Sequence, residues 1–151
     1  MDYDGHIIEN NKLDNAITYK YSEGYYPVLC SINKLPIYLQ NRNGNTPESY
    51  NQKSSIAAAL EQCMAQKLTV NKFRADACCY EKDTIQYLEK SNIAYYIRAE
   101  QNGNLRIALE DETEWQPVLL NNCKVEVCSM EEPLFGQKTP RRIVGIQKKV
   151  K

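Results

Sequence analysis

Lys72-Phe73-Arg74-Ala75-Asp76-Ala77-Cys78-Cys79-Tyr80 reads as a buried strand carrying one carboxylate near its end. Alternate side chains on a strand face opposite ways. Phe73, Ala75 and Ala77 therefore share one face, and Arg74, Asp76 and Cys78 share the other. Amphipathic helix patterns stand on both sides of the stretch, which makes it a parallel strand inside an α/β sheet. A charge at the carboxyl end of such a strand lies where open α/β sheets place their sites. The plain alternative is a surface or salt-bridged Asp, since an isolated buried charge is costly.

A second acidic strand adds weight to the first reading. The chain opens Met1-Asp2-Tyr3-Asp4-Gly5-His6, and alternation puts Asp2 and Asp4 on one face. Two acidic segments so far apart in sequence meet only if their strands are neighbours. Carboxylates converging at strand ends, with no Cys/His cluster beside them, suit a hard, oxygen-preferring ion such as Mg²⁺ or Mn²⁺. The alternative is a solvated N-terminus, the ordinary fate of terminal charges.

The 151 residues are enough for one domain with a small appendage. Nineteen basic and nineteen acidic residues cancel, so no global field draws the chain to nucleic acid. No apolar run is long enough to span a membrane, and no secretory signal follows Met1. The six cysteines form no disulfide framework in so charged a chain. Nor do they form a zinc site. Cys78 and Cys79 would point to opposite sides of a strand, and Cys123 and Cys128 lack the two-residue spacing. Reduced, mostly buried thiols in a cytoplasmic protein are expected.

Along the chain, segments 16–21, 26–32 and 35–40 carry the β-branched and aromatic residues that strands favour. The last two form a hairpin across Asn33-Lys34. Asn43-Gly44 marks a loop. Ser55 caps a helix whose Ile56, Ala59, Leu60, Cys63 and Met64 recur on one face. A second helix follows from about 81 to 90, then a strand at 93–98. This is an α/β sheet of mixed direction. Beyond Glu100, residues 101–104 read as a turn and 105–130 as a small β unit anchored by Trp115 and Val118-Leu119-Leu120. Arg141 to Ile146 forms a last strand, and the basic tail Lys148 to Lys151 reads as a solvated terminus.

Taken in order, Asp2-Tyr3-Asp4, Thr18-Tyr19-Lys20, Gly24-Tyr25-Tyr26-Pro27, Asn41-Arg42-Asn43-Gly44-Asn45, Phe73-Arg74-Ala75-Asp76-Ala77 and Tyr95-Tyr96-Ile97-Arg98-Ala99 resemble the catalytic domain of bacterial insertion-sequence transposases of the DDE class. The resemblance implies a ribonuclease H-like mixed sheet flanked by helices, with a β-rich insertion near the C-terminus. On it, residues 1–100 form a partial catalytic core, 101–138 the insertion, and 139–151 a returning strand and basic tail. Catalytic acids in that family lie on the first and fourth strands and on a late helix. Asp76 takes the fourth-strand position. Asp4 fits the first, standing directly ahead of the loop, with Asp2 as its alternative.

Two departures from the family pattern stand out. His6 occupies the place of a hydroxyl residue. The chain also stops before any helix that could bring the third acid, and it lacks the usual DNA-binding domain. The resemblance therefore implies a fragment of a transposase. Asp4 and Asp76 would jointly hold Mg²⁺ or Mn²⁺, and Lys20, Arg42 and Arg98 would contact phosphates of DNA, the terminal inverted repeats of a mobile element. Missing apolar cover over the sheet would favour self-association, with a homodimer as the simplest form. The alternative, from a different class, is a non-catalytic remnant that keeps the fold as an interaction module.

Overall fold

Tyr3, Val28, Cys30 and Phe73 are buried together, and their placement decides the architecture. The computed structural model describes residues 1–47, 49–100 and 102–148. It divides into two units, Met1–Glu100 and Gln101–Lys151. The first unit runs β1 (Asp2–Gly5), β2 (Ile8–Glu9), β3 (Ala16–Ile17), β4 (Glu23–Tyr25), β5 (Val28–Ile32), β6 (Leu35–Gln40), α1 (Gln52–Ala65), β7 (Lys72–Ala75), a 3₁₀ turn (Ala77–Cys79), α2 (Lys82–Lys90) and β8 (Ala94–Ile97). Five of these strands form one sheet in the order β6-β5-β1-β7-β8. β1 is antiparallel to β5 and parallel to β7, and β7 is parallel to β8. The chain is thus a mixed α/β protein.

Register explains the burial. Tyr3 stands opposite Cys30 and Ala75, and Phe73 opposite Tyr95. These residues share the face packed against Ile56, Ala59 and Leu60 of α1 and Leu88 of α2. Asp2, Asp4, Arg74 and Tyr96 fall on the other face. Within α1, Ile56, Ala59, Leu60 and Cys63 are buried as their spacing predicts, but Met64 is 66% exposed. Ser55 does not cap the helix. It lies one turn inside, and its hydroxyl donates to Gln40 Oε1 (2.6 Å), while the N-cap is Asn51 in the left-handed region. The segment expected as a strand at 16–21 stops at Ile17, because Tyr21 has φ 61° and Thr18 N–H bonds back to Ser22 O.

The short strands β2, β4 and β3 form a second, antiparallel sheet. The Asn43-Gly44 loop closes on it, with Gly44 N–H donating to Gly24 O at 3.1 Å. A Cβ at Gly44 would stand 2.4 Å from Ala16 O and 2.5 Å from Gly24 O. Gly44→Ala is therefore expected to cost roughly 1–2 kcal/mol of overpacking strain. A urea midpoint unchanged from the parent would refute this close approach.

The second unit begins with a helix, α3 (Gly103–Asp111), and not with a strand. Asn102 Oδ1 accepts from Leu105 N–H (2.9 Å), an N-cap that overrides the turn reading. β9 (Gln116–Leu120), β10 (Cys123–Pro133) and β11 (Pro140–Gln147) follow as an antiparallel sheet in the order β11-β10-β9. The β9–β10 turn is Asn121-Asn122, both at positive φ. Leu109, Trp115 and Cys128 close around Gly145, leaving no room for a Cβ there. The strand from Pro140 belongs to this sheet, paired along β10.

All six cysteines are free. Cys30, Cys63, Cys79 and Cys128 are buried, Cys78 is half-buried and Cys123 is exposed. Burial pushes the Cys30 thiol up to about 12. Among the described residues no helix is long and apolar enough to cross a membrane. The basic tail beyond Lys148 lies outside the described residues.

Candidate functional site

β1 and β7 run parallel and in contact, pairing Asp2 with Arg74 and Tyr3 with Ala75. Asp4 follows Tyr3 within β1, and Asp76 follows Ala75 just past the end of β7. β7 and β8 pair Ala75 with Ile97, and Arg98 comes directly after β8. Neighbouring strands lie about 4.8 Å apart. Asp4 lies near the carboxyl end of β1, and Asp76 and Arg98 directly follow the last residues of β7 and β8. All three are exposed. Two residues back, Asp2, Arg74 and Tyr96 pair across the same three strands, and Arg74 Nε donates to Asp2 Oδ1 at 2.8 Å. That ion pair uses Asp2 and leaves Asp4 as the first-strand carboxylate at the strand ends.

Asp76 is not the last residue of a longer strand. β7 ends at Ala75, and Asp76, still extended (φ −81°), caps the 3₁₀ turn that follows. Its Oδ1 accepts from Cys78 N–H at 3.0 Å, so one oxygen is tied to the backbone and the carboxylate's direction is fixed. The turn corrects the expectation that Cys78 and Cys79 point to opposite sides of a strand: their sulfurs stand 3.7 Å apart. Gln52, buried at the start of α1, holds the turn from behind. Its Nε2 donates to Cys78 O at 2.7 Å, and its Oε1 accepts from Thr84 Oγ1 at 3.5 Å. No spacing in the sequence marks Gln52 for this task, because its partners lie 26 and 32 residues away.

The three cations expected to meet phosphate differ sharply. Arg98 is exposed, directly after the end of β8. Lys20 is exposed in the turn after β3, with Nζ 5.8 Å from the centre of the Tyr19 ring. Arg42 is only 6% exposed. Its guanidinium donates to Gln40 Oε1 and Ser55 Oγ, each at 2.9 Å, and to the Tyr3 hydroxyl at 3.4 Å. Burial pushes the Tyr3 phenol well above the ordinary tyrosine range, and Arg42 opposes that shift. The expectation of Arg42 as a phosphate contact is corrected by this burial: the side chain ties β1, β6 and α1 together.

The donors at the strand ends are carboxylate oxygens alone, as a hard divalent cation requires. Among the described residues no group of three or more His, Cys, Asp or Glu side chains comes together in a way that could hold a metal ion. No family model, curated protein or solved structure matches the chain.

Proposed function

We propose that the first unit is a ribonuclease H-like catalytic core of the DDE transposase type, acting on DNA phosphodiesters through Asp4 and Asp76. One observation carries this reading. The main sheet, numbered by its own strands in chain order, runs third-second-first-fourth-fifth, with only the second antiparallel to the first, fourth and fifth. That order makes the first and fourth strands neighbours, which supports the reading drawn from the resemblance. Asp4 and Asp76 would hold a Mg²⁺ or Mn²⁺ ion. Such an ion, when bound, supplies charge neutralisation at a phosphodiester and an activated water.

The protein's own part is positional. Cys78 N–H fixes the direction of the Asp76 carboxylate, Gln52 fixes the turn that carries it, and Arg98 presents a guanidinium to a phosphate oxygen. Exposed Leu39 and Tyr96 on the same sheet face support self-association under this reading.

Affinity for hard cations follows ligand charge and number, so two carboxylates should bind weakly, with Kd on the order of 1 mM. In an amide NMR titration with Mn²⁺, paramagnetic broadening is expected to centre on residues 4–6 and 76–78 and to vanish in Asp76→Asn. Broadening centred elsewhere, or unchanged in that variant, would remove the reading. Asp76-dependent nicking of DNA by this chain alone is not expected, because the pair lacks a third carboxylate among the described residues.

A further inference from the structure

The first unit carries a concave feature that neither Asp4, Asp76 nor Arg98 lines. It is an open cleft of about 490 Å³ whose walls include Thr18, Tyr19, Tyr26, Gly44, Asn45 and Thr46. That volume lies within the roughly 300–1,000 Å³ of small-ligand sites. Its walls are held by backbone bonds. Thr18 N–H donates to Ser22 O at 2.8 Å, Tyr26 N–H to Arg42 O at 2.8 Å, Gly44 N–H to Gly24 O at 3.1 Å and Thr46 N–H to Asn43 O at 2.9 Å. The Thr18 and Ser22 hydroxyls share a further bond at 3.0 Å.

Tyr19 is the unusual member. A large aromatic side chain is normally buried for its area, yet Tyr19 is 66% exposed. It is nonetheless braced, edge to face, against buried Tyr26, with centroids 5.9 Å apart and planes at 71°. Lys20 Nζ lies over the same ring, 5.8 Å from its centre. A braced, solvent-facing ring next to an ammonium group is the combination by which proteins hold an unpaired base and its phosphate. Asn45 and Thr46, which also line the cleft, carry an amide and a hydroxyl that can donate and accept hydrogen bonds.

We propose that this cleft takes an unpaired nucleotide at the end of a DNA strand, its base stacked on Tyr19 and its phosphate met by Lys20. The proposal rests on the nucleic-acid reading of the strand ends and deepens it, because it assigns a single-stranded DNA end as part of what the protein recognises. It also gives Lys20 a task separate from that of Arg98.

The test is fluorescence anisotropy with the full chain, using a blunt DNA duplex, the same duplex with a short oligo-dT overhang, and free dTMP as competitor. The overhang duplex is expected to bind at least about fivefold more tightly than the blunt one. Tyr19→Ala should erase that preference and Tyr19→Trp should keep it, while Lys20→Gln should flatten the salt dependence. Tyr19 is mainly exposed, so unfolding is not expected in these variants, and thermal melts check it. Tyr21→Ala, at an exposed tyrosine outside the lining, should leave the preference intact. Equal binding of blunt and overhang duplexes, an unaltered preference in folded Tyr19→Ala, or full competition by dTMP would each overturn the proposal. If Asp76→Asn abolishes Mn²⁺ broadening while the cleft tests fail, the cleft alone falls. If the overhang preference holds without any ion at the strand ends, the cleft stands and the catalytic reading falls.

Discussion

Phe73→Ala should lower the unfolding free energy by about 3–5 kcal/mol, the largest effect expected of any single truncation in this chain. Phe73 is the largest fully buried side chain and the centre of the face that β7 turns toward the helices. Its ring lies 6.4 Å from that of Tyr3 on the adjacent strand, so truncation opens a cavity between β1 and β7. Those are the two strands that carry Asp4 and Asp76. Stability of a small domain is only about 5–15 kcal/mol, so the variant should be largely unfolded at moderate urea. Phe73→Leu refills most of the volume and should cost much less. Urea unfolding followed by far-ultraviolet circular dichroism decides the matter, and equal midpoints for Phe73→Ala and the parent would place the core elsewhere.

Arg42→Ala is the second large loss, roughly 2–3 kcal/mol, because it strips a charged donor from buried partners. Gln40 Oε1 would retain only the Ser55 hydroxyl among the bonds described above, and the buried Tyr3 phenol would lose its guanidinium partner. Arg98→Ala is the control. An exposed cation outside any core should change stability by no more than about 0.5 kcal/mol and lower the salt slope of DNA binding by about one. A stable Arg42→Ala protein with a reduced salt slope would return Arg42 to the phosphate contacts and invert the assignment made from its burial.

What could be read from the sequence follows the range of the interactions involved. The β5–β6 hairpin, most of the buried face of α1 and the start of the Phe73 strand rest on alternation and helical spacing, which are local, and they appear where the pattern puts them, whereas Met64 is exposed and β7 ends at Ala75. The acidic ends of β1 and β7 were legible one at a time. Their adjacency required the order of the strands, which no local pattern carries. α3 was missed because Asn102-Gly103 also suits a turn, although Asn102 followed by Leu105 and Leu109 at four-residue spacing carried a helix signal. Ser55 misled because a serine beside a helix start is usually a cap, whereas this one is drawn inside by Gln40 and Arg42. Arg42 misled for the same reason: whether a loop arginine is solvated depends on partners from three separate elements.

The central place of β1 bears on how the chain acquires its structure. β1 is hydrogen-bonded on both sides, to β5 and to β7, yet it is the first strand in the chain. Its Arg74–Asp2 contact spans 72 residues. During synthesis this strand must wait for most of the first unit to emerge before its second edge is covered, while the β5–β6 hairpin can close at once. Pairing of such wide separation is intrinsically slow, and until it occurs two unpaired edges are open to other chains. The arrangement that makes β1 and β7 neighbours thus also defers the closing of the sheet, and open strand edges expose newly made chains to aggregation.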